Sequence, residues 1–257
     1  MDAQRKGARV LAGIVCALGV GAGGTLFVLS RPQAEARPAV PRVAARPDGF
    51  RDAFDRPELD SAAWISVADG DFQERVVDVQ SGRLRLRCAT VGTNDRTVKY
   101  LGVRSVAAVP LRDGRKVSAE LDWNNQANGS YLSSALVLAP AATEGNPLLT
   151  SDWIKIEYVG VPPGKNGRLV VGRRAKGREL PLFTEGWPES NRNGRPIARQ
   201  KIELILRGDG VDVLENGIKV FSSHEKLPFE AAHLYLLMSS HSNYPPRELF
   251  WDNVRIE

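Results

Sequence analysis

Cysteine, histidine and methionine are scarce in this chain, and helical periodicity is scarcer. There are two cysteines, three histidines and two methionines in 257 residues. Cys16 lies in an apolar segment and Cys88 far downstream, so no disulfide can staple the folded part. A domain of this size has enough core to do without one. The histidines (His224, His233, His241) show no metal-ligand spacing. No phosphate loop, Cys–His cluster or Ser-His-Asp arrangement occurs. Long runs of one charge are missing too. The formal net charge is +5. Four basic and two acidic residues fall within 1–36, leaving 31 against 28, or +3, for the remainder. Such a mild, scattered excess describes a solvated surface and argues against a nucleic-acid partner.

What is present begins with an apolar run. Val10–Leu29 is uncharged and follows Arg5, Lys6 and Arg9. A spanning helix needs about 20 such residues, whereas the apolar part of a signal peptide has about 7–15. Five glycines dilute the run, and Ala34-Glu35-Ala36 offers a small-residue cleavage site. Residues 1–29 are therefore expected to be a signal-anchor or signal peptide forming one hydrophobic helix. Val15, preceding Cys16 where a small residue is called for, argues against a lipoprotein. The expected location is the cell membrane facing the extracytoplasmic side, or outside the cell if the signal is cleaved. The membrane is then a partner through this helix. Residues 30–49 hold four prolines and four arginines without hydrophobic period and read as an extended, semi-rigid linker.

Residues 50–257 alternate with a period of two. Leu84, Leu86 and Cys88 alternate with Arg83, Arg85 and Arg87. Val117, Ala119, Leu121 and Trp123 alternate with Ser118, Glu120, Asp122 and Asn124. Ile154, Ile156 and Tyr158 alternate with Lys155 and Glu157, and Lys201–Arg207 repeats the pattern. Half-buried antiparallel strands read this way. Asn216-Gly217 between two apolar runs is a strong hairpin signal, and Asp113-Gly114 and Asp209-Gly210 mark further turns. One short helical turn is conceivable at Glu225–Ala232. The fold class is all-β: a two-sheet antiparallel sandwich preceded by one N-terminal hydrophobic helix.

Three segments carry a family likeness. Phe54-Asp55, Leu59-Asp60 and Trp64 resemble the first strand of laminarinase-type glycoside hydrolases. Phe250–Ile256 resembles their closing strand, and Val211–Phe221 their penultimate hairpin. The domain thus resembles the concanavalin A-like lectin/glucanase superfamily, which implies a jelly roll. Such folds host enzymes, lectins and adhesive modules alike.

The resemblance makes Glu120-Leu121-Asp122-Trp123-Asn124-Asn125 the sharpest chemical candidate, beside the family motif E-x-D-x-x-E. Retaining hydrolysis needs two carboxyls about 5–5.5 Å apart. Here Asn125 stands at the second glutamate position, and an amide can serve neither as acid nor as base. Glu120, Asp122 and Asn124 then form a polar sheet face that could bind a ligand. Asp252 falls in strict alternation with Phe250, Val254 and Ile256, so its carboxylate must be bonded or metal-bound. The resemblance implies a structural calcium there, with Asp55 and Asp52 as further donors; calcium wants six to eight oxygens. No other cofactor is required. The Ser239–Glu248 loop offers His241, Asn243, Tyr244 and Arg247, a mixture of planar donors with an aromatic face that suits sugars. Trp187 sits in the polar stretch Thr184–Arg195, which could line a cleft. Trp64, Trp123 and Trp251 read as core. The expectation is a polysaccharide- or glycan-binding module without catalysis. A glycan-active hydrolase of the same fold and a structural or protein-binding envelope module remain as alternatives.

Overall fold

A computed structural model describes residues 49–90, 99–123, 132–160, 166–175, 186–196, 199–240 and 246–257. The chain divides into two compact units, Met1–Pro41 and Arg42–Glu257, and every described residue belongs to the second. The expected N-terminal helix, and the linker up to residue 48, lie outside the described residues. Among the described residues no helix is long and apolar enough to cross a membrane.

The strands in chain order are β1 (Phe50–Asp52), β2 (Trp64–Asp69), β3 (Phe72–Gln80), β4 (Arg83–Thr90), β5 (Lys99–Ser105) and β6 (Val109–Pro110). There follow β7 (Lys116–Asp122), β8 (Ser133–Pro140), β9 (Trp153–Gly160), β10 (Asn166–Arg174) and β11 (Gly186–Pro196). The last are β12 (Gln200–Arg207), β13 (Gly210–Glu215), β14 (Ile218–Ser223), β15 (Ala231–Ser240) and β16 (Arg247–Ile256). They form two antiparallel sheets. The first runs β14-β13-β12-β7-β16-β4-β3, with β1 also on β16; the second runs β11-β10-β9-β8-β15-β5-β2, with β6 also on β15. This is the expected jelly-roll sandwich. The segment from Glu225 to Glu230 is not helical, and a 3-10 turn at Pro147–Leu149 is the one helical element among the described residues. Asn146 caps it by accepting from the Leu148 N–H at 2.9 Å.

Turn chemistry sets the registers. Asn216 and Gly217 have φ of 51° and 80°, and Ser81 and Gly82 have 52° and 71°. Positive φ at both central residues is what a two-residue hairpin of matching twist requires. These turns join β13 to β14 and β3 to β4. Gly102 is needed for another reason. A Cβ there would overlap the Leu236 carbonyl oxygen of the neighbouring strand.

The core lies between the sheets. Leu84, Leu86, Leu121, Leu204 and Trp251 of the first meet Leu101, Val103, Leu136, Ile154 and Leu234 of the second. Trp64, Trp123 and Trp251 are all buried in it, as their phase predicts. Cys88 is there too, its Sγ 3.9 Å from Met238 Sδ. Burial pushes its thiol pKa up to about 12, so it is an inert space-filler rather than a nucleophile.

The two ends of the domain meet on one strand. Phe50 pairs with Ile256 and Asp52 with Val254. Asp52 is buried and pins the entry: its carboxylate accepts from Phe54 N–H and Trp64 Nε1–H, each at 2.8 Å, and pairs with Arg56 at 2.9 Å. Trp64 in turn packs against Phe50 and Phe54, with ring centroids 5.3 and 5.9 Å away. Asp52→Ala strands a buried indole N–H and a backbone N–H. It should cost about 2–3 kcal/mol, read as a lowered urea midpoint. An unchanged midpoint would show that the pin is redundant.

Candidate functional site

The sheets carry different outward faces. On the first sheet Glu120 and Asp122 point outward from β7, while Val117, Ala119 and Leu121 between them are fully buried. Asp252 of β16 lies directly across from Glu120.

The alternation expected through Asp252 is corrected here. The register shifts between Asp252 and Arg255, and Asn253 has a φ of 49°. That β-bulge flips the facing of the strand. Leu249 and Trp251 are buried before it and Val254 and Ile256 after it. Asp252 therefore shares the outer face with Phe250 and is not in phase with Val254 and Ile256.

Its carboxylate is already bonded. One oxygen accepts from Asn253 N–H at 2.7 Å, and the other meets Arg199 at 3.0 Å. The same Arg199 nitrogen meets Glu120 at 2.5 Å. Those two contacts bound the separation of the carboxylate oxygens at about 5.5 Å. They lie no farther apart than the carboxyls of a retaining pair, about 5–5.5 Å. The guanidinium, however, fills the space between them that a sugar would have to enter. Burial, together with the Glu120 charge, pushes the Asp252 carboxyl above its usual range even with Arg199 and the Asn253 N–H opposing. The rest of the face is similarly paired: Arg83 with Asp122 at 2.7 Å, Arg85 with Asp78 at 2.7 Å and Arg87 with Glu74 at 2.5 Å. Arg83 also stacks on Phe250, 4.1 Å from the ring centroid.

A calcium site does not fit these residues. Asp252 is held by a cation and a backbone N–H, and both Asp52 oxygens are taken. Asp55 is exposed beside the Gly82 turn. No cluster of three or more metal-ligating side chains occurs among the described residues. Chelator is accordingly expected to leave the melting temperature unchanged; a fall of several degrees, reversed by calcium, would overturn this.

Of the other expected ligand residues, Arg247 is half-buried at the start of β16, opposite Cys88, with its Nε buried and lacking a hydrogen-bond partner among the described residues. Asn124, His241, Asn243, Tyr244 and the side chain of Trp187 lie outside the described residues, as does Asn125.

The second sheet has an outward face that composition did not single out. Pairing registers define it. Arg104, Tyr235, Val137, Lys155 and Gly172 form one cross-strand row. Gly102, Leu237, Ala135 and Glu157 form the next. His233, Ala139, Trp153 and Arg174 form a third. Trp153 joins this row by following Lys155 at a spacing of two on β9. Tyr100, Val137, Trp153, Tyr235 and Leu237 make a second hydrophobic cluster, separate from the inter-sheet core.

Charges sit inside it. Lys155 and Glu157 retain only 2% and 7% of their accessible surface. Lys155 Nζ donates to Glu157 Oε2 at 2.6 Å and lies 5.5 Å from the Trp153 ring centroid. Trp153 Nε1 donates to Leu148 O at 3.2 Å, which ties the strand to the 3-10 turn. Between the large side chains Gly102, Ala135, Ala139 and Gly172 present little bulk.

This site was legible in one respect. Ser133–Pro140 (SSALVLAP) and Ala231–Ser240 (AAHLYLLMSS) are near-continuous apolar runs, the signature of strands buried on both faces. Lys155 and Glu157 were expected on a solvated face because they are charged.

His233 offers a test of that burial. Its Nδ1 is buried with no hydrogen-bond partner among the described residues. Burial, reinforced by the Arg104 charge, holds its pKa below the usual value. The unfolded chain takes up this proton near pH 6.5, about a free histidine's value, while the folded chain resists it. Stability from this group is thus complete above that pH and falls as the pH drops toward the folded pKa. Urea midpoints at pH 7.5 and 5 should differ less in His233→Gln than in the native protein; an identical difference would sink the assignment.

No protein-family model and no curated protein matches the sequence. Solved structures do match in fold. A structure titled as an endo-acting O-glycanase of the human gut microbiota, initiating mucin breakdown, aligns with TM-score 0.58 and 17% identity over 80% of this chain and 97% of its own. A Bacillus licheniformis β-glucanase aligns with TM-score 0.53 and 13% identity over 81% of this chain and 97% of its own. A GlcNAcα1-4Gal-releasing endo-β-galactosidase from Clostridium perfringens aligns with TM-score 0.59 and 13% identity over 80% of this chain and 61% of its own. The chain has the concanavalin A-like jelly-roll fold that these glycoside hydrolases share.

Proposed function

We propose that this domain is a glycan-active protein whose ligand lies along the outward face of the second sheet. The observation that carries the proposal is the buried Lys155–Glu157 pair set among Trp153, Tyr100 and Tyr235. Aromatic faces beside fixed polar groups are the ordinary makings of a ligand site. Glycan hydrolysis is the reading that the similarities in fold support, since all three proteins described above are titled for cleaving glycans. On this reading Glu157 is the carboxylate at the reacting bond.

A second reading, binding without cleavage, has its own observation. Hydrolysis by either stereochemical route needs a second carboxyl within about 5–9.5 Å. Among the described residues the other outward carboxylate is Asp69, in register with Tyr100 on β2. The sheet order puts β8, β15 and β5 between β9 and β2. At about 4.8 Å per strand that is roughly 19 Å, too far for a pair. Lys155, which cannot replace a carboxyl, is instead the near neighbour of Glu157.

Export, with the apolar run Val10–Leu29 as anchor or cleaved signal, belongs to the same proposal and would be tested by membrane fractionation. The decisive experiment incubates the protein with a panel of cell-wall, mucin-type and storage polysaccharides and follows reducing ends and binding together. Reducing-end release, abolished in Glu157→Gln at unchanged melting temperature, is expected for the enzyme. Binding without release is expected for the module. Release unaffected by Glu157→Gln would remove this face from the chemistry, and silence in both assays would remove the glycan reading.

A further inference from the structure

The outward face of the second sheet is covered, and one part of the chain that covers it is plain. Residues 141–152 join β8 to β9 without adding a strand to either sheet. They fold back over the sheet instead. Asn146 Nδ2 donates to Asp69 Oδ2 of β2 at 2.7 Å, and Arg104 of β5 donates to Thr143 O at 3.3 Å. Trp153 Nε1 of β9 and Arg174 of β10 both donate to Leu148 O, at 3.2 and 3.4 Å. Asp69, Arg104, Trp153 and Arg174 all occupy outward positions by register. In the sheet order these contacts reach from β2 to β10, with β5, β15, β8 and β9 between. The segment is a strap laid across the face.

Beneath it lie the groups of the proposed site. Leu148 packs against the cluster of Tyr100, Val137, Trp153, Tyr235 and Leu237. Val137, Trp153, Lys155, His233 and Tyr235 are all buried although they face outward. Leu149 is 73% exposed, so the strap itself is the outer layer where it lies. A sugar ring that stacks on Trp153 would have to take the place of Leu148.

The strap is lightly built. Its residues are exposed or half-buried apart from Thr143 and Pro147. Its one regular element is the 3-10 turn Pro147–Leu149. The bonds from Arg104, Trp153 and Arg174 sit at or beyond the long end for N–H···O contacts, whereas the Asn146–Asp69 bond is short. Segments with few buried apolar contacts open at low cost, and lids are drawn from them. Pairing of β8 with β15 ends at Pro140, and pairing of β9 with β10 begins at Trp153. Neither sheet depends on the strap for its ladder.

We infer that residues 141–152 are a displaceable strap that closes the glycan face, latched to β2 by Asn146 and Asp69, and that a glycan binds by displacing it. The inference rests on the glycan reading above and adds the regulation of that site. The closed state does not bind, so the apparent affinity scales with the fraction of molecules whose strap is open. Loosening the latch therefore tightens binding, the reverse of what loss of a ligand contact does.

Asn146→Asp keeps the cap on the turn, since a carboxylate still accepts from Leu148 N–H, but sets two carboxylates against each other at the latch. Asp69→Ala removes the acceptor alone. The double variant Asn146→Asp/Asp69→Asn restores one donor and one acceptor. The full chain and these variants are titrated calorimetrically with laminarin, gastric mucin and xylan, and hydrogen exchange of residues 141–152 is followed by mass spectrometry. Each single variant should show faster exchange in the strap and about tenfold tighter binding of at least one polymer. The double variant should return both to native values, and saturating polymer should speed strap exchange in the native chain. Faster exchange with unchanged or weaker binding, or a strap slowed by the polymer, overturns the inference and leaves the glycan reading standing. Strap exchange unchanged in both single variants also overturns it, by removing the latch. Failure of every chain to bind any of the three polymers overturns both.

Discussion

Lys155 and Glu157 point away from the inter-sheet core and are nevertheless buried, so each must find its counter-charge inside the protein. Taking two such charges out of water costs several kcal/mol each, and the pair regains that only with short, well-aligned contacts. The 2.6 Å bond between them meets the condition. Around it the surroundings follow. Trp153 lies alongside the ammonium, and small residues on the neighbouring strands leave room for the long side chains. An apolar pair of the same volume would fill that space at least as well. The energetic case for keeping ions here is weak, and that moves the explanation from stability toward recognition.

The first sheet makes the contrast. Its outward face carries more charges, yet they are half-exposed and arranged as cross-strand pairs of arginine with aspartate or glutamate. Pairs of this kind are worth about 0–1 kcal/mol apiece in water. They blunt the charge of each strand and leave no surplus to attract a ligand. Even Glu120 and Asp252, which face each other across β7 and β16, are bridged by Arg199. One sandwich thus has a self-neutralised, half-exposed outer face and another where an ion pair is buried among aromatic side chains.

How far this was legible depends on the length scale of the signal. Alternation over seven or eight residues identified β4, β7, β9 and β12, and Asn216-Gly217 marked the β13–β14 hairpin. The residues at both ends resembled an opening and a closing strand, and their pairing, Phe50 with Ile256 and Asp52 with Val254, came from the structure. The facing of Asp252 was hidden because one left-handed residue, Asn253, resets the phase, and period-two reading has no memory of an inserted residue. The site on the second sheet was hidden for a different reason. Lys155 and Glu157 acquire their meaning from Val137, Ala135 and Tyr235, which are neighbours by register and distant in sequence. Only the uninterrupted apolar runs of β8 and β15 hinted that this side was covered.

Identities of 13–17% preserve a fold and say little about the chemistry placed on it. Residue types at the face must therefore decide. A carboxylate beside a second carboxylate is poised for proton transfer, since each raises the other's pKa and one stays protonated. A carboxylate hydrogen-bonded to an ammonium is fixed in direction, which suits it to gripping a hydroxyl. Glu157 is in the second situation. Recognition and any chemistry on this face are thus parts of one placement problem, set by how Lys155 fixes the direction of Glu157.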